Sequence, residues 1–117
     1  KLNINSNHLK FVKDAMFNVV NNKHGTAHRS RIVSEKINMA GKTGTVQVVR
    51  ISENEREQGI VKNIDREWKK RDHALFVGYA PVEDPKYAIS VVVEHGGSGS
   101  GTAAPIARDI FMKLFNI

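Results

Sequence analysis

The sequence predicts an α+β fold: a three-stranded antiparallel sheet packed by an N-terminal and a C-terminal helix. Three observations carry this. Apolar residues recur at helical spacing at both ends of the chain. Between them lie runs rich in β-branched residues, which suit a pleated, half-buried surface. Two of those runs, Ala74–Ala80 and Tyr87–Glu94, flank Pro81–Lys86, a turn by composition, and so read as a hairpin.

The elements follow in order. Asn5 and Ser6 offer N-cap oxygens, and Leu9, Val12, Met16, Val19 and Val20 then form a helical stripe. That helix is expected to stop near Asn21-Asn22, with His24-Gly25-Thr26 as its exit. Residues 27 to 36 are polar and basic, a connection. Ile37 to about Ile51 reads as the first strand. Ser52 to Asp72 is charged and reads as a long loop or irregular excursion, pinned by Ile60, Val61, Ile64 and Trp68. The hairpin strands come next, then the glycine-serine turn from Gly96 to Gly101. Thr102 is the expected cap of the last helix and Pro105 suits its first turn. Ile106, Ala107, Ile110, Phe111 and Leu114 form that helix's apolar stripe.

Composition narrows the function classes. The 117 residues are 40% hydrophobic and 26% charged, ordinary for one globular domain. The net charge of +6 leaves anionic partners open, but no patterned basic helix supports a nucleic-acid footprint. With no cysteine, disulfides and thiolate metal sites are excluded. No apolar run is long enough to span a bilayer and no signal peptide is present. The chain opens at Lys1 without a methionine, so it reads as processed, truncated or cut from something longer.

Lys42-Thr43-Gly44-Thr45 is the strongest candidate for chemistry. A cation, two hydroxyls and a glycine interrupt an apolar run that otherwise reads as a buried strand. An unpaired buried charge is expensive, so a site that holds a carboxylate explains the lysine better than a core does. A phosphate loop is rejected: Lys36 stands where its first glycine is required, and a β-branched run follows instead of a helix. His24 and His28 are four apart, but Gly25 argues against a helix there, and the five histidines read as solvated or loop residues. No metal or cofactor is expected. Glu94-His95 reads as a turn or cap rather than an acid–base pair. Trp68 with Lys69, Lys70 and Arg71 reads as a solvated loop rather than a contact patch.

The lysine-threonine-glycine box on a strand is a motif of penicillin-binding proteins and class A β-lactamases. Ala40-Gly41-Lys42-Thr43-Gly44-Thr45-Val46-Gln47 resembles the third active-site motif of penicillin-binding transpeptidases. His73 to Pro81 resembles the strand that follows, and Asp84 to Ile89 with Val91 to Gly97 the next strand and turn. Thr102 to Arg108 resembles the start of the final helix, and His24-Gly25-Thr26-Ala27 the stretch before the box. The resemblance covers nearly the whole chain and is nearest to the class B branch of cell elongation, the penicillin-binding protein 2 group. It implies that residues 1–117 are the C-terminal part of a transpeptidase domain. It implies catalytic roles for Lys42, near the proton relay and the substrate carboxylate, and for Thr45, whose N–H would be half of the oxyanion hole. Thr43 would bind the carboxylate, and Gly44 would let substrate lie against the strand.

The departures matter as much. The nucleophile motif, serine followed by lysine three positions on, is absent: Ser6 is followed by Leu9, Ser34 by Ile37 and Ser52 by Glu55. Ser52-Glu53-Asn54 fits the second motif as a string, but lies after the box instead of before it. The expectation is therefore one wall of a site, inactive alone, in a parent that cross-links peptidoglycan stem peptides and binds β-lactams. The family implies an elongation-machinery glycosyltransferase as partner and the periplasmic face of the inner membrane as location. A bare sheet edge should favour homodimerisation or strand exchange. Two alternatives are a non-catalytic module for an anionic peptide and, third, a basic nucleic-acid-binding domain.

Overall fold

A computed structural model of the chain describes residues 3–117. Helix α1 spans Ser6–Asn21, strand β1 Ala40–Val46, helix α2 Glu53–Gln58, strands β2 and β3 His73–Ala80 and Tyr87–Val93, and helix α3 Ala104–Leu114. A π turn at Gly99–Ala103 leads directly into α3. The sheet is three-stranded, in the order β1-β2-β3, and both pairings are antiparallel.

Sequence alternation accounts for the sheet's two faces. Ala74, Phe76, Gly78 and Ala80 of β2 are buried, while the residues between them are half-buried or exposed. The register sets Thr45 opposite Ala74 and Thr43 opposite Phe76. Phe76 in turn faces Val91 and Ala74 faces Val93. Ala104, Ala107 and Phe111 of α3 close this face, joined in one core by Val20, Ala27, Ile32 and Met39. The hairpin forms as expected, with the Lys86 N–H donating to the Ala80 carbonyl at 3.1 Å.

Four expectations are corrected. First, β1 is shorter than Ile37–Ile51. The Asn38 carbonyl accepts from Val82 N–H at 3.1 Å, and Val48 N–H goes to the Asp72 carboxylate at 3.1 Å, so the chain leaves the ladder at both ends. Second, residues 52–72 hold helix α2. Ser52 Oγ accepts from Glu55 N–H at 3.1 Å as its cap, and the half-buried Arg66–Glu55 ion pair braces it. Third, Thr102 does not cap α3. Its hydroxyl donates to the Gly96 carbonyl at 2.7 Å, while Ser98 Oγ accepts from Gly101 N–H at 3.2 Å. Fourth, the helical stripes are only partly buried. In α1 burial begins at Met16, and Leu9 and Val12 are 43% and 52% exposed. In α3 the positions 104, 107 and 111 are covered, and Ile106, Ile110 and Leu114 form a second, uncovered apolar face.

The uncovered surface is large. The accessible area is 8446 Å², against roughly 6400 Å² expected for a folded chain of this mass. The radius of gyration is 16.3 Å, against about 13 Å for a compact domain of this length. Ile4, Phe11 and Val12 of the N-terminal segment and Val92 of edge strand β3 contribute to the excess.

Candidate functional site

The lysine-threonine-glycine box occupies β1, an edge strand. The expectation that it lies in a buried run is corrected: only Ala40 and Gly41 of the strand are buried, and Lys42, Thr45 and Val46 are exposed. Lys42 therefore carries no burial penalty. Its Nζ donates to the Thr43 carbonyl at 2.7 Å and enters no ion pair among the described residues.

Alternation puts Thr43 and Thr45 on the face covered by α3 and the π turn, and Lys42 and Gly44 on the opposite face. On the covered side Thr45 Oγ1 accepts from Gly99 N–H at 3.4 Å. On the other side Gly44 has a single tight neighbour. A Cβ there would meet only Leu75, at 3.2 Å from its Cβ. A strand edge with a cation and no side chain two residues on offers main-chain pairing to an extended peptide and a charge for its carboxylate.

Thr26 is a neighbour that sequence reasoning did not single out: its hydroxyl lies 3.3 Å from that of Thr43. Gly25 brings it there, since any Cβ at Gly25 would overlap the last turn of α1. The signal was present in His24-Gly25-Thr26-Ala27, which carried the resemblance without a role.

The turn after β3 forms the floor of the site. Gly99 lies so close to β1 and β2 that a Cβ would sit 2.5 Å from the Leu75 carbonyl oxygen and 2.9 Å from Gly44 N. His95 and Gly97 both take left-handed backbone, at φ of 55° and 87°. His95 thus acts as a turn residue. Its backbone N–H donates to His73 Nδ1 at 2.9 Å, and its own Nδ1 lies 2.9 Å from the Arg71 carbonyl. Nδ1 of His73 accepts, whereas Nδ1 of His95, facing a carbonyl, donates. The expectation of solvated or loop histidines is corrected for His73, which lies in β2, whereas His95 is the turn residue expected. Both are half-buried, with ring centroids 4.6 Å apart, and Trp68 sits edge-on to His95 at 4.6 Å. Ser52 serves as a helix cap, so Ser52-Glu53-Asn54 is a structural string.

At the far end of the sheet, Tyr79 lies opposite Ala40, and its hydroxyl is buried with no hydrogen-bond partner among the described residues. Burial raises its pKa above the usual phenol value, and the carboxylates of Asp14 and Glu83 push the same way.

A three-stranded meander with a lysine-threonine-glycine box on its edge strand and a helix closing its covered face is an α+β arrangement of the kind seen in penicillin-binding protein transpeptidase domains. Comparison with known proteins agrees, and the chain belongs to the penicillin binding protein transpeptidase domain family, which it matches over residues 1–112. It is 40% identical over 106 residues to the peptidoglycan D,D-transpeptidase MrdA of Haemophilus influenzae, covering 89% of this chain and 15% of that protein. The structure is similar to that of PBP2 from Helicobacter pylori in complex with MreC, at a TM-score of 0.74 and 34% identity, covering 97% of this chain and 18% of the other. It is also similar to Pseudomonas aeruginosa PBP2 in complex with WCK 5153, at a TM-score of 0.62 and 35% identity, covering 88% and 18%. The chain thus spans less than a fifth of the length of these relatives.

Proposed function

We propose that residues 1–117 form the substrate-side wall of a D,D-transpeptidase site in a penicillin-binding protein that cross-links peptidoglycan stem peptides. The observation that carries this reading is the exposed Lys42-Thr43-Gly44-Thr45 edge of β1 within a chain of this family. The stem peptide pairs with the open edge as an added strand, and Gly44 leaves room for it. Lys42 attracts the terminal carboxylate and Thr43 hydrogen-bonds it. A serine contributed by the rest of the parent attacks the carbonyl of the D-alanyl-D-alanine amide. The Thr45 N–H stabilises the resulting oxyanion, D-alanine leaves, and the acyl-serine passes to an amine of a second stem. β-Lactams acylate the same serine. Losing one oxyanion donor costs about 2.7–4 kcal/mol of barrier, so placement of the Thr45 backbone matters more than its side chain.

The family resemblance implies, and we propose, a parent at the periplasmic face of the bacterial inner membrane, acting with an elongation-machinery glycosyltransferase. The complex of the Helicobacter pylori relative with MreC supports a protein partner for the parent. No helix of the described residues is long and apolar enough to cross a membrane.

Labelling with a fluorescent penicillin tests the reading. The full-length protein is expected to be labelled covalently and the isolated chain not. An unlabelled parent overturns the function, and a labelled isolated chain overturns the assignment of the nucleophile to the rest of the parent.

A further inference from the structure

One cluster outside the box is tied to it by an unbroken set of contacts. Asp72, the residue before β2, gathers three segments. Its Oδ1 accepts from Val48 N–H at 3.1 Å, just beyond the end of β1. Its Oδ2 accepts from Asn63 Nδ2 at 3.0 Å, and its own N–H donates to Asn63 Oδ1 at 2.8 Å. Its carbonyl accepts from Gly97 N–H at 2.8 Å. The second Asn63 Nδ2 hydrogen reaches the Gly97 carbonyl at 3.2 Å. The carboxamide thus uses both donors and its acceptor: two bonds tie it to Asp72 at the end of its own segment, and the third reaches Gly97 in the turn after β3. Both Asn63 and Asp72 are half-buried, where such bonds compete less with water.

What Asn63 holds is the floor of the site. Gly97 is followed two residues later by Gly99, whose backbone lies directly against Gly44 and meets the Thr45 hydroxyl. We infer that Asn63, clamped by Asp72, is a positioning residue that sets the height of the Gly97–Gly99 floor under Gly44 and Thr45 and so aims the Thr45 N–H. The inference rests on the transpeptidase reading and adds a residue to it. Two features favour positioning over simple loop anchoring. The same Asp72 carboxylate takes Asn63 and the exit of β1, so floor and strand share one support. The loop also has its own brace in the Ser52 cap and the Arg66–Glu55 pair, neither of which touches the floor.

The test uses the full-length protein with a fluorescent penicillin in rapid-mixing kinetics. Three quantities are read: the dissociation constant of the initial complex, the saturating acylation rate and the labelled fraction. Asn63→Ala removes all three bonds. Asn63→Asp keeps the shape and the acceptor but turns oxygen toward the Gly97 carbonyl and the Asp72 carboxylate. For both, the saturating rate is expected to fall about 10-fold at full labelled fraction, as a sub-ångström misplacement of an oxyanion donor predicts. Ser52→Ala, which loosens the loop without touching the floor, is expected to keep the rate within about twofold. A wild-type rate in both Asn63 variants, or a loss confined to the labelled fraction, overturns the inference, and so does an equal loss in Ser52→Ala. An unlabelled wild-type protein instead overturns the transpeptidase reading, and this inference with it.

Discussion

Replacing Gly99 by alanine places one methyl group at the tightest point of the site. The new Cβ would lie 2.5 Å from the Leu75 carbonyl oxygen and 2.9 Å from Gly44 N, and closer still to the Gly44 carbonyl oxygen. Carbon–oxygen contacts settle at about 3.3–3.6 Å, so the turn and the strands must part by about 0.8 Å or more. The atoms in the way are all backbone and no rotamer change relieves them. Overpacking of this kind costs about 1–3 kcal/mol of stability. A shift of this size at Thr45 also lowers acylation by about 100-fold. Gly101→Ala is the control in the same turn, since its Cβ would meet only Ser98, at 3.6 and 3.8 Å, an ordinary contact. The assay is the saturating rate of fluorescent-penicillin acylation in the full-length protein, with a urea midpoint for each variant. Gly99→Ala acylating at the wild-type rate would refute the argument. So would Gly101→Ala losing as much.

Further outcomes follow from other positions. Gly44→Ala meets only Leu75, so stability should change by less than about 1 kcal/mol while acylation falls, because the methyl stands where the substrate strand must lie; melting and acylation moving together would count against this. Phe76→Ala empties the centre of the covered face and should cost about 3–5 kcal/mol in urea unfolding. Tyr79 has its pKa raised by burial and by Asp14 and Glu83, so the folded state holds the phenol proton more tightly than the unfolded chain. That contribution is complete below the unfolded value of about 10 and is lost as pH rises through the higher folded value. Phenolate absorbance of the Tyr87→Phe chain, left with one tyrosine, should rise at higher pH folded than unfolded. The isolated chain, with its excess surface, should bind a hydrophobic dye and self-associate in size-exclusion measurements; a dye-silent monomer would contradict this.

Much of the fold could be read from residue patterns because local signals and tertiary packing agreed there. The hairpin shows this: Pro81 and Asp84-Pro85 stop the strands, and the β2 alternation coincides with burial of Ala74, Phe76 and Ala80. The box was legible as a motif, but its exposure was not, since apolar neighbours alone cannot distinguish a core strand from an edge strand. Thr102 looked like a helix cap by type and spacing. The π turn displaced that role to Ser98, because an extra residue in the turn changes which hydroxyl faces the free N–H groups. The uncovered faces of α1 and α3 looked like core stripes. Periodicity reports that a face is apolar and not what covers it. Asn63 and Asp72 were invisible, since the pair bonds to Val48 and Gly97, on two segments distant in sequence.

The long connection between β1 and β2 has a consequence for the order in which the sheet assembles. Strands β2 and β3 are joined by residues 81–86, whereas β1 reaches β2 only after residues 47–72. Closing a loop roughly four times longer carries an added entropy cost of about 1.3 kcal/mol. The hairpin is therefore the local, early partner, and the strand bearing Lys42 to Thr45 is the late one to dock. Contacts inside residues 52–72, from the Ser52 cap to the Asn63–Asp72 bonds, shorten the effective loop before β1 closes. The segment thus trades a slower route to the native sheet for a substrate strand whose final position several independent contacts determine.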